Sequence, residues 1–280
     1  MNEDIKQLHR INLKTLEYVL QIIKKYNLKY YMLGGTMLGA IRHKGFIPWD
    51  DDIDIGLPRE DYEKFLKVAS AELPDNYKVI NFKTDKNYHY YITRVQNINT
   101  RLVEIRFEHE KKYTHASIDI FPLDGSPNNK IKRSIHFFRI LLHRAKMSLH
   151  NKKGIDNNRK RGTLEKILLF FILFFPTDKM FNSYKEKCKI DRLLKKYEMN
   201  SSLYSGNIMG AYRVKEVVPT NLYGENSFYD FEHLKLRGLE KYDTYLKLLY
   251  GENYMKLPSE EDRKVHFEIV NIESTDLSKD

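Results

Sequence analysis

The sequence predicts an α/β (α+β) fold, a small mixed sheet flanked by helices, with a basic helical insertion. Three observations carry that expectation. Helix and strand patterns alternate through the first 71 residues, and several short apolar strands follow up to Phe121. Beyond Asn128 the pattern gives way to long, basic, helix-like stretches. The division expected is a core formed by residues 1–127 and 201–280, with residues 128–200 inserted between its halves.

Taken in order, Ile5, Leu8, Leu16, Val19, Leu20 and Ile23 recur at spacings of three, four or their multiples, which predicts a helix ending near Asn27. Leu28 to Leu33 reads as a strand, broken by Gly34-Gly35. Thr36 is the expected cap of a short helix through Arg42. Ile53 to Leu57 is the next strand, and Pro58 opens a helix over Asp61 to Ala71. Val79 to Phe82, Tyr90 to Gln96, Leu102 to Phe107 and Ser117 to Phe121 are further strands, the last closed by Pro122. In the insertion, Ile131 to His150 is a helix with Ile135, Phe138 and Leu142 on its apolar side, followed by a polar loop and the apolar run Ile167 to Phe175. Tyr242 to Tyr250 is the last helix.

Composition narrows the function. With 41% hydrophobic and 13% aromatic residues the chain of 280 is no disordered tail. One cysteine, Cys188, excludes an internal disulfide and a multi-cysteine metal site. No signal peptide is evident, and the longest apolar run is nine residues, short of the roughly 20 needed to span a bilayer. The net charge of +10 sits wholly between Lys130 and Lys166, where twelve Lys and Arg face two acids. That block beside an apolar run suits an acidic membrane surface, with Phe170, Phe171, Phe174 and Phe175 entering the interface. A solvated helix and a homodimer interface, hence a homo-oligomer, are the competing readings.

The chemistry is concentrated in LGGTMLGAIRHKGFIPWDDDIDIGL, Leu33 to Leu57. Asp50, Asp51, Asp52 and Asp54 repel one another unless a cation sits among them. On a strand, Asp52 and Asp54 share one face while Ile53 and Ile55 take the other, an arrangement suited to divalent metal. Gly34, Gly35 and Thr36 offer backbone N–H groups at a helix start, a phosphate-binding arrangement. Asp119, flanked by isoleucines on a core strand, is the natural third carboxylate, with Asp124 as a weaker candidate. Arg42 and Lys44 are candidates for a diphosphate or an acceptor, Arg42 equally for an ion pair with the aspartates; Arg94 is a further phosphate candidate. Trp49 is a packing residue or part of a cage for a cation. His109, Glu110 and His115 lack the spacing of a zinc site.

These segments, together with SIDIFPLD and YDTYLKLLYGENYMKLP, resemble the LicD family of the nucleotidyltransferase superfold, to which fukutin-related proteins are also similar. The resemblance implies metal held by Asp52, Asp54 and Asp119, as Mg²⁺ or Mn²⁺. It implies transfer of phosphocholine from CDP-choline to a sugar hydroxyl of a polyprenyl-linked polysaccharide or teichoic acid precursor, releasing CMP. Other CDP-linked donors would use the same machinery. The enzyme would then lie in the cytoplasm, peripheral at the inner membrane face. The chain departs from the family in having Arg237 to Lys241, without a proline, before Tyr242, and in lacking a cysteine-rich zinc element. A metal-dependent glycosyltransferase is the competing enzyme. A nucleic-acid binder would explain the charge but leave the acidic cluster without purpose, so nucleic acid is not an expected partner.

Overall fold

The computed structural model describes residues 3–104, 113–150, 180–263 and 267–272. Helix α1 (Glu3–Lys25) buries Leu8, Ile11, Leu16, Val19, Ile22 and Ile23. Its acids lie in the first turn and its lysines in the last, both complementing the helix dipole. Strand β1 (Tyr31–Met32) then enters α2 (Gly34–His43) directly, because Gly34 adopts φ +46°, a left-handed conformation that glycine tolerates. The helix therefore starts two residues before Thr36, and its N-cap is Leu33. The Thr36 hydroxyl instead accepts the Asp54 N–H at 2.8 Å, tying α2 to the next strand.

Strand β2 (Asp54–Pro58) pairs antiparallel with β1 and parallel with β5 (Tyr113–Gly125). Between β2 and β5 come α3 (Arg59–Glu72), β3 (Tyr77–Ile80) and β4 (Thr93–Glu104). The main path across the sheet is β1-β2-β5-β4-β10, where β10 is Phe267–Ile272. Both β3 and β10 pair with β4, at opposite ends of it. The alternating Ile53, Ile55, Leu57, Ile118 and Ile120 are all fully buried beneath α1 and α3, with Leu16 and Phe65. Each such side chain contributes about 2 kcal/mol of apolar burial. This is the mixed α+β, nucleotidyltransferase-like arrangement expected.

Two strand boundaries differ from the sequence pattern. The strands expected at Tyr90 to Gln96 and from Leu102 are one strand, β4, with a register shift between Asn97 and Leu102. Asn97 resembles a turn residue, but its carbonyl accepts the Thr100 hydroxyl at 2.7 Å, which closes an irregularity without ending the strand. Pro122 does not close β5 either. The pairing with β4 stops at Ile120, so Pro122 loses no ladder donor on that side and the strand runs on to Gly125.

The segment expected as an insertion contains α4 (Lys130–His150) and α5 (Ser183–Leu194), which pack together. Ile140, Ile190, Leu193 and Leu194 join Phe82 and Tyr91 of the β3–β4 connection in a second core cluster. The inward side of α4 is Ile140 and His136, whereas Ile131, Ile135, Phe138 and Leu142 are exposed. The apolar side expected of this helix is thus its outer face. The loop from Gly154 and the run Ile167 to Phe175 lie outside the described residues, as do His109 and Glu110. Strands β6 (Tyr204–Gly206) and β7 (Val217–Pro219) extend the sheet from Asp124. The hairpin β8 (Phe228–Phe231) and β9 (Leu234–Arg237) leads to α6 (Tyr242–Tyr250), whose bounds match the sequence pattern. Among the described residues no helix is long and apolar enough to cross a membrane.

Candidate active site

Parallel pairing of β2 with β5 brings Asp54 beside Asp119, and Arg94 on β4 is the next residue along that row. Arg94 and Asp119 are both buried, and Arg94 Nε donates to Asp119 Oδ1 at 2.8 Å. The same guanidinium stands 4.4 Å from the Tyr90 ring centre. Arg94, a candidate phosphate ligand by sequence, is therefore the ion-pair partner of the third carboxylate. Asp124 is engaged elsewhere: Arg59 holds it with two hydrogen bonds, of 2.7 and 2.5 Å, and reaches Asp191 at 3.1 Å.

The acidic loop ahead of β2 is held by α1. His9 Nε2 donates to the Asp50 carbonyl at 2.6 Å, and the buried Asn12 donates to the Asp51 carbonyl at 3.0 Å. The Phe267 N–H donates to Asp51 Oδ2 at 2.9 Å, so Asp51 ties the loop to β10. Carboxylate oxygens of Asp50, Asp51 and Asp52 lie within 4.8 Å of one another. Gly35 closes over this cluster so tightly that a β-carbon there would sit 2.5 Å from Asp50 Oδ2.

Asp50, Asp52 and Asp54 open onto a cavity of about 640 Å³, whose floor is Gly34 and Gly35. That volume suits a nucleotide-sized ligand. Asp54 keeps some exposure to the cavity, but the protein packed around it disfavours its charge. Asp52, Asp119, Asp50 and Glu216 add repulsion, and together these hold its pKa well above the ordinary carboxylate value. A hard oxygen donor set whose charges are mutually destabilising fits a divalent cation.

The facing wall comes from a segment the sequence pattern did not single out. Glu216 lines the cavity with Tyr212 and Tyr250. Glu216 accepts the Tyr212 N–H at 2.7 Å and an Asn207 amide hydrogen at 3.3 Å, and burial pushes its pKa up to about 7. Tyr212 and Tyr250 meet edge to face, 5.4 Å between centres. Tyr245, behind them, accepts the Gly34 N–H at 3.0 Å, so that donor is already used. Helix geometry leaves the N–H groups of Gly35 and Thr36 without a carbonyl partner in α2.

The remaining sequence candidates divide. Arg42 lines the cavity, but its Nη1 donates to the Tyr254 and Lys256 carbonyls at 3.0 and 3.3 Å, anchoring the loop after α6. Lys44 is the left-handed cap of α2, φ 59°, exposed and off the cavity lining. Trp49 lines the cavity with Arg263 4.8 Å and Arg42 5.9 Å from its ring centre, so the protein's own cations stack on it. His9 and Asn12 were detectable as polar residues within the apolar stripe of α1. Glu216 carried no comparable signal.

Comparison with known proteins accords with this geometry. The family described as LicD/FKTN/FKRP, nucleotidyltransferase domain, matches residues 27–153. The chain is 28% identical over 268 residues to the lipopolysaccharide cholinephosphotransferase LicD of Haemophilus influenzae, covering 94% of this chain and 95% of that one. A stretch of 59 residues is 37% identical to the ribitol 5-phosphate transferase FKRP of Homo sapiens, 21% of this chain and 12% of that protein. With Asp54, Asp119 and Arg94 in one row of a mixed sheet and the glycine turn opening α2 beside them, residues 27–153 of this chain match the LicD/FKTN/FKRP nucleotidyltransferase domain, and 94% of the chain is similar to LicD.

Proposed function

We propose that the protein transfers phosphocholine from CDP-choline to a sugar hydroxyl of a cell-surface polysaccharide or teichoic acid precursor, releasing CMP. The hydroxyl attacks the β-phosphorus and the bond to the bridging oxygen breaks. CMP departs with that oxygen, and the hydroxyl proton passes to a carboxylate of the cavity. Mg²⁺ or Mn²⁺ held by Asp52 and Asp54, with Asp119 as the third carboxylate, would neutralise the diphosphate and the charge developing on CMP. The backbone at Gly35 would face the phosphates, Thr36 being buried off the cavity lining, and Arg42 fixes the loop that walls the cavity.

The observation that carries this reading is one cavity lined by Asp50, Asp52, Asp54 and the Gly34-Gly35 turn, in a chain similar end to end to a cholinephosphotransferase. Its test is thermal melting with CDP-choline, CDP-glycerol and UDP-glucose, each with and without Mg²⁺. A ligand at about 100 times its Kd stabilises by about 2.7 kcal/mol. A metal-dependent rise with CDP-choline alone is expected. A rise with CDP-glycerol instead would change the group transferred, and one with UDP-glucose would overturn the reading in favour of a glycosyltransferase. The similarity to FKRP supports one second reading, transfer of a polyol phosphate such as ribitol phosphate.

The exposed stripe Ile131, Ile135, Phe138 and Leu142, flanked by Lys130, Lys132 and Arg139, supports contact with an anionic membrane carrying the polyprenyl-linked acceptor. Ile135→Ser with Phe138→Ser should lower pelleting with anionic vesicles while nucleotide binding persists. Unchanged pelleting would refute it.

A further inference from the structure

We infer that Tyr212, Tyr250 and Glu216 form the subsite for the quaternary ammonium of the donor, the feature by which the enzyme selects choline over uncharged head groups. The inference rests on the donor reading above and names the residues that would enforce it. A trimethylammonium group has no N–H to donate and is weakly hydrated. It is recognised by aromatic faces and by negative charge close by rather than by directed hydrogen bonds. The cavity has several aromatic residues, and the cations already stacked on them separate the candidates. Trp49 carries Arg263 and Arg42. Tyr90, just outside the lining, carries Arg94. Among the described residues no basic side chain stacks on Tyr212, Tyr250, Phe121 or Tyr254, and of these four Phe121 and Tyr254 are buried in the core, which leaves Tyr212 and Tyr250.

Position agrees with that elimination. Tyr250 Oη and Asp54 Oδ2 both lie within 4 Å of the same point above Gly34, so this ring adjoins the carboxylate proposed to hold the metal. Tyr212 meets it edge to face and extends the aromatic wall away from the acidic strand. Glu216 lines the same cavity and accepts the Tyr212 N–H. A donor with its β-phosphorus at the metal carries its head group one two-carbon linker away, which is where this wall begins. The Glu216 carboxyl is oriented by Tyr212 and Asn207, which holds it in place at the wall. Arg144, the basic residue that most eases its charge, spends hydrogen bonds of 3.0 and 2.9 Å on the Ile208 and Gly210 carbonyls, holding the loop in place.

The experiment is calorimetric titration of CDP-choline, CDP-glycerol and CDP, each with Mg²⁺, into wild type, Glu216→Gln and Tyr212→Leu. Glu216→Gln keeps the shape and the acceptor for the Tyr212 N–H but removes the charge. Tyr212 is 42% exposed, so its truncation spares the core. Wild type should bind CDP-choline about tenfold or more tightly than CDP-glycerol. Each variant should lose most of that preference, with its Kd for CDP changed less than about twofold. Retained preference in both variants would overturn the subsite while leaving the proposed reaction standing. Equal loss of CDP and CDP-choline would also overturn it, because the residues would then serve the whole cavity. A wild type that prefers CDP-glycerol would instead overturn the donor reading itself.

Discussion

Glu216→Gln also tests the electrostatics of the cavity without any ligand. In the folded protein burial moves this carboxyl from its ordinary value of 4.5 to about 7. At 1.36 kcal/mol per pH unit that corresponds to about 3 kcal/mol, which partial exposure to the cavity reduces to about 1–2 kcal/mol. The direction follows from the raised folded-state pKa. Stability from the protonated form is fully present below about 4.5 and is lost as pH rises through about 7. The amide has no such dependence. Melting temperature should therefore be measured from pH 5 to 9 in EDTA for wild type and Glu216→Gln, and the two curves subtracted. Other titrating groups are common to both proteins and cancel. The wild type should fall behind the variant by about 2–6 °C between pH 5 and 8.5. A flat difference, or one of opposite sign, would refute the claim that this carboxylate is held at a cost inside the cavity.

Three further outcomes are expected. Gly35→Ala should fold, since Gly35 has no positive φ, but its β-carbon meets Asp50 Oδ2, so the Mg²⁺-dependent rise in melting temperature with nucleotide should vanish. Asn12→Ala removes the side-chain bond to the Asp51 carbonyl and should cost about 1–3 kcal/mol by denaturant melting, with Mn²⁺ affinity, read by electron paramagnetic resonance, falling as the acidic loop loosens. Arg59→Met leaves the Asp124 and Asp191 carboxylates buried without their shared guanidinium; a loss of about 3–5 kcal/mol is expected by urea unfolding, and a loss under about 1 kcal/mol would contradict it.

The acidic strand was legible because its signal is local. Asp52 and Asp54 alternate with buried isoleucines, and that period places the acids on the side away from the core, although β2 begins only at Asp54 and Asp52 lies in the loop ahead of it. The glycine turn was legible for the same reason. Arg94 was visible only as a basic residue near a strand. Its pairing with Asp119 depends on the β4–β5 register, which joins residues 25 positions apart and leaves no trace at either. Helix α4 was found by periodicity but its faces were assigned inversely. The helix buries Ile140 and His136, Ile140 packing with α5 and the β3–β4 connection, while Ile135 and Phe138 are exposed. Tyr212 and Glu216 lie in a segment with a turn-like, mixed composition; they meet Asp54 only because β6 and β7 fold back beside Asp124.

The charges of the cavity constrain what it can hold. Asp50, Asp52, Asp54 and Glu216 line it and Asp119 adjoins it, while Arg94 is bound to Asp119 and Arg42 is bound to backbone carbonyls. Lys256 also lines the cavity, but a diphosphate entering it meets like charge at the aspartates, which metal held there would offset. The metal proposed at Asp52 and Asp54 would answer the repulsion there and leave the Glu216 carboxyl to be balanced separately. A donor with an uncharged polyol at that position would leave the carboxylate as it is, protonated near neutral pH and costly above it. A donor ending in a fixed positive charge balances Glu216 and needs no proton, so binding of such a donor should hold the carboxyl ionised below pH 7. The aspartates and Glu216 thus call for a divalent cation and an organic one, with the phosphates between them.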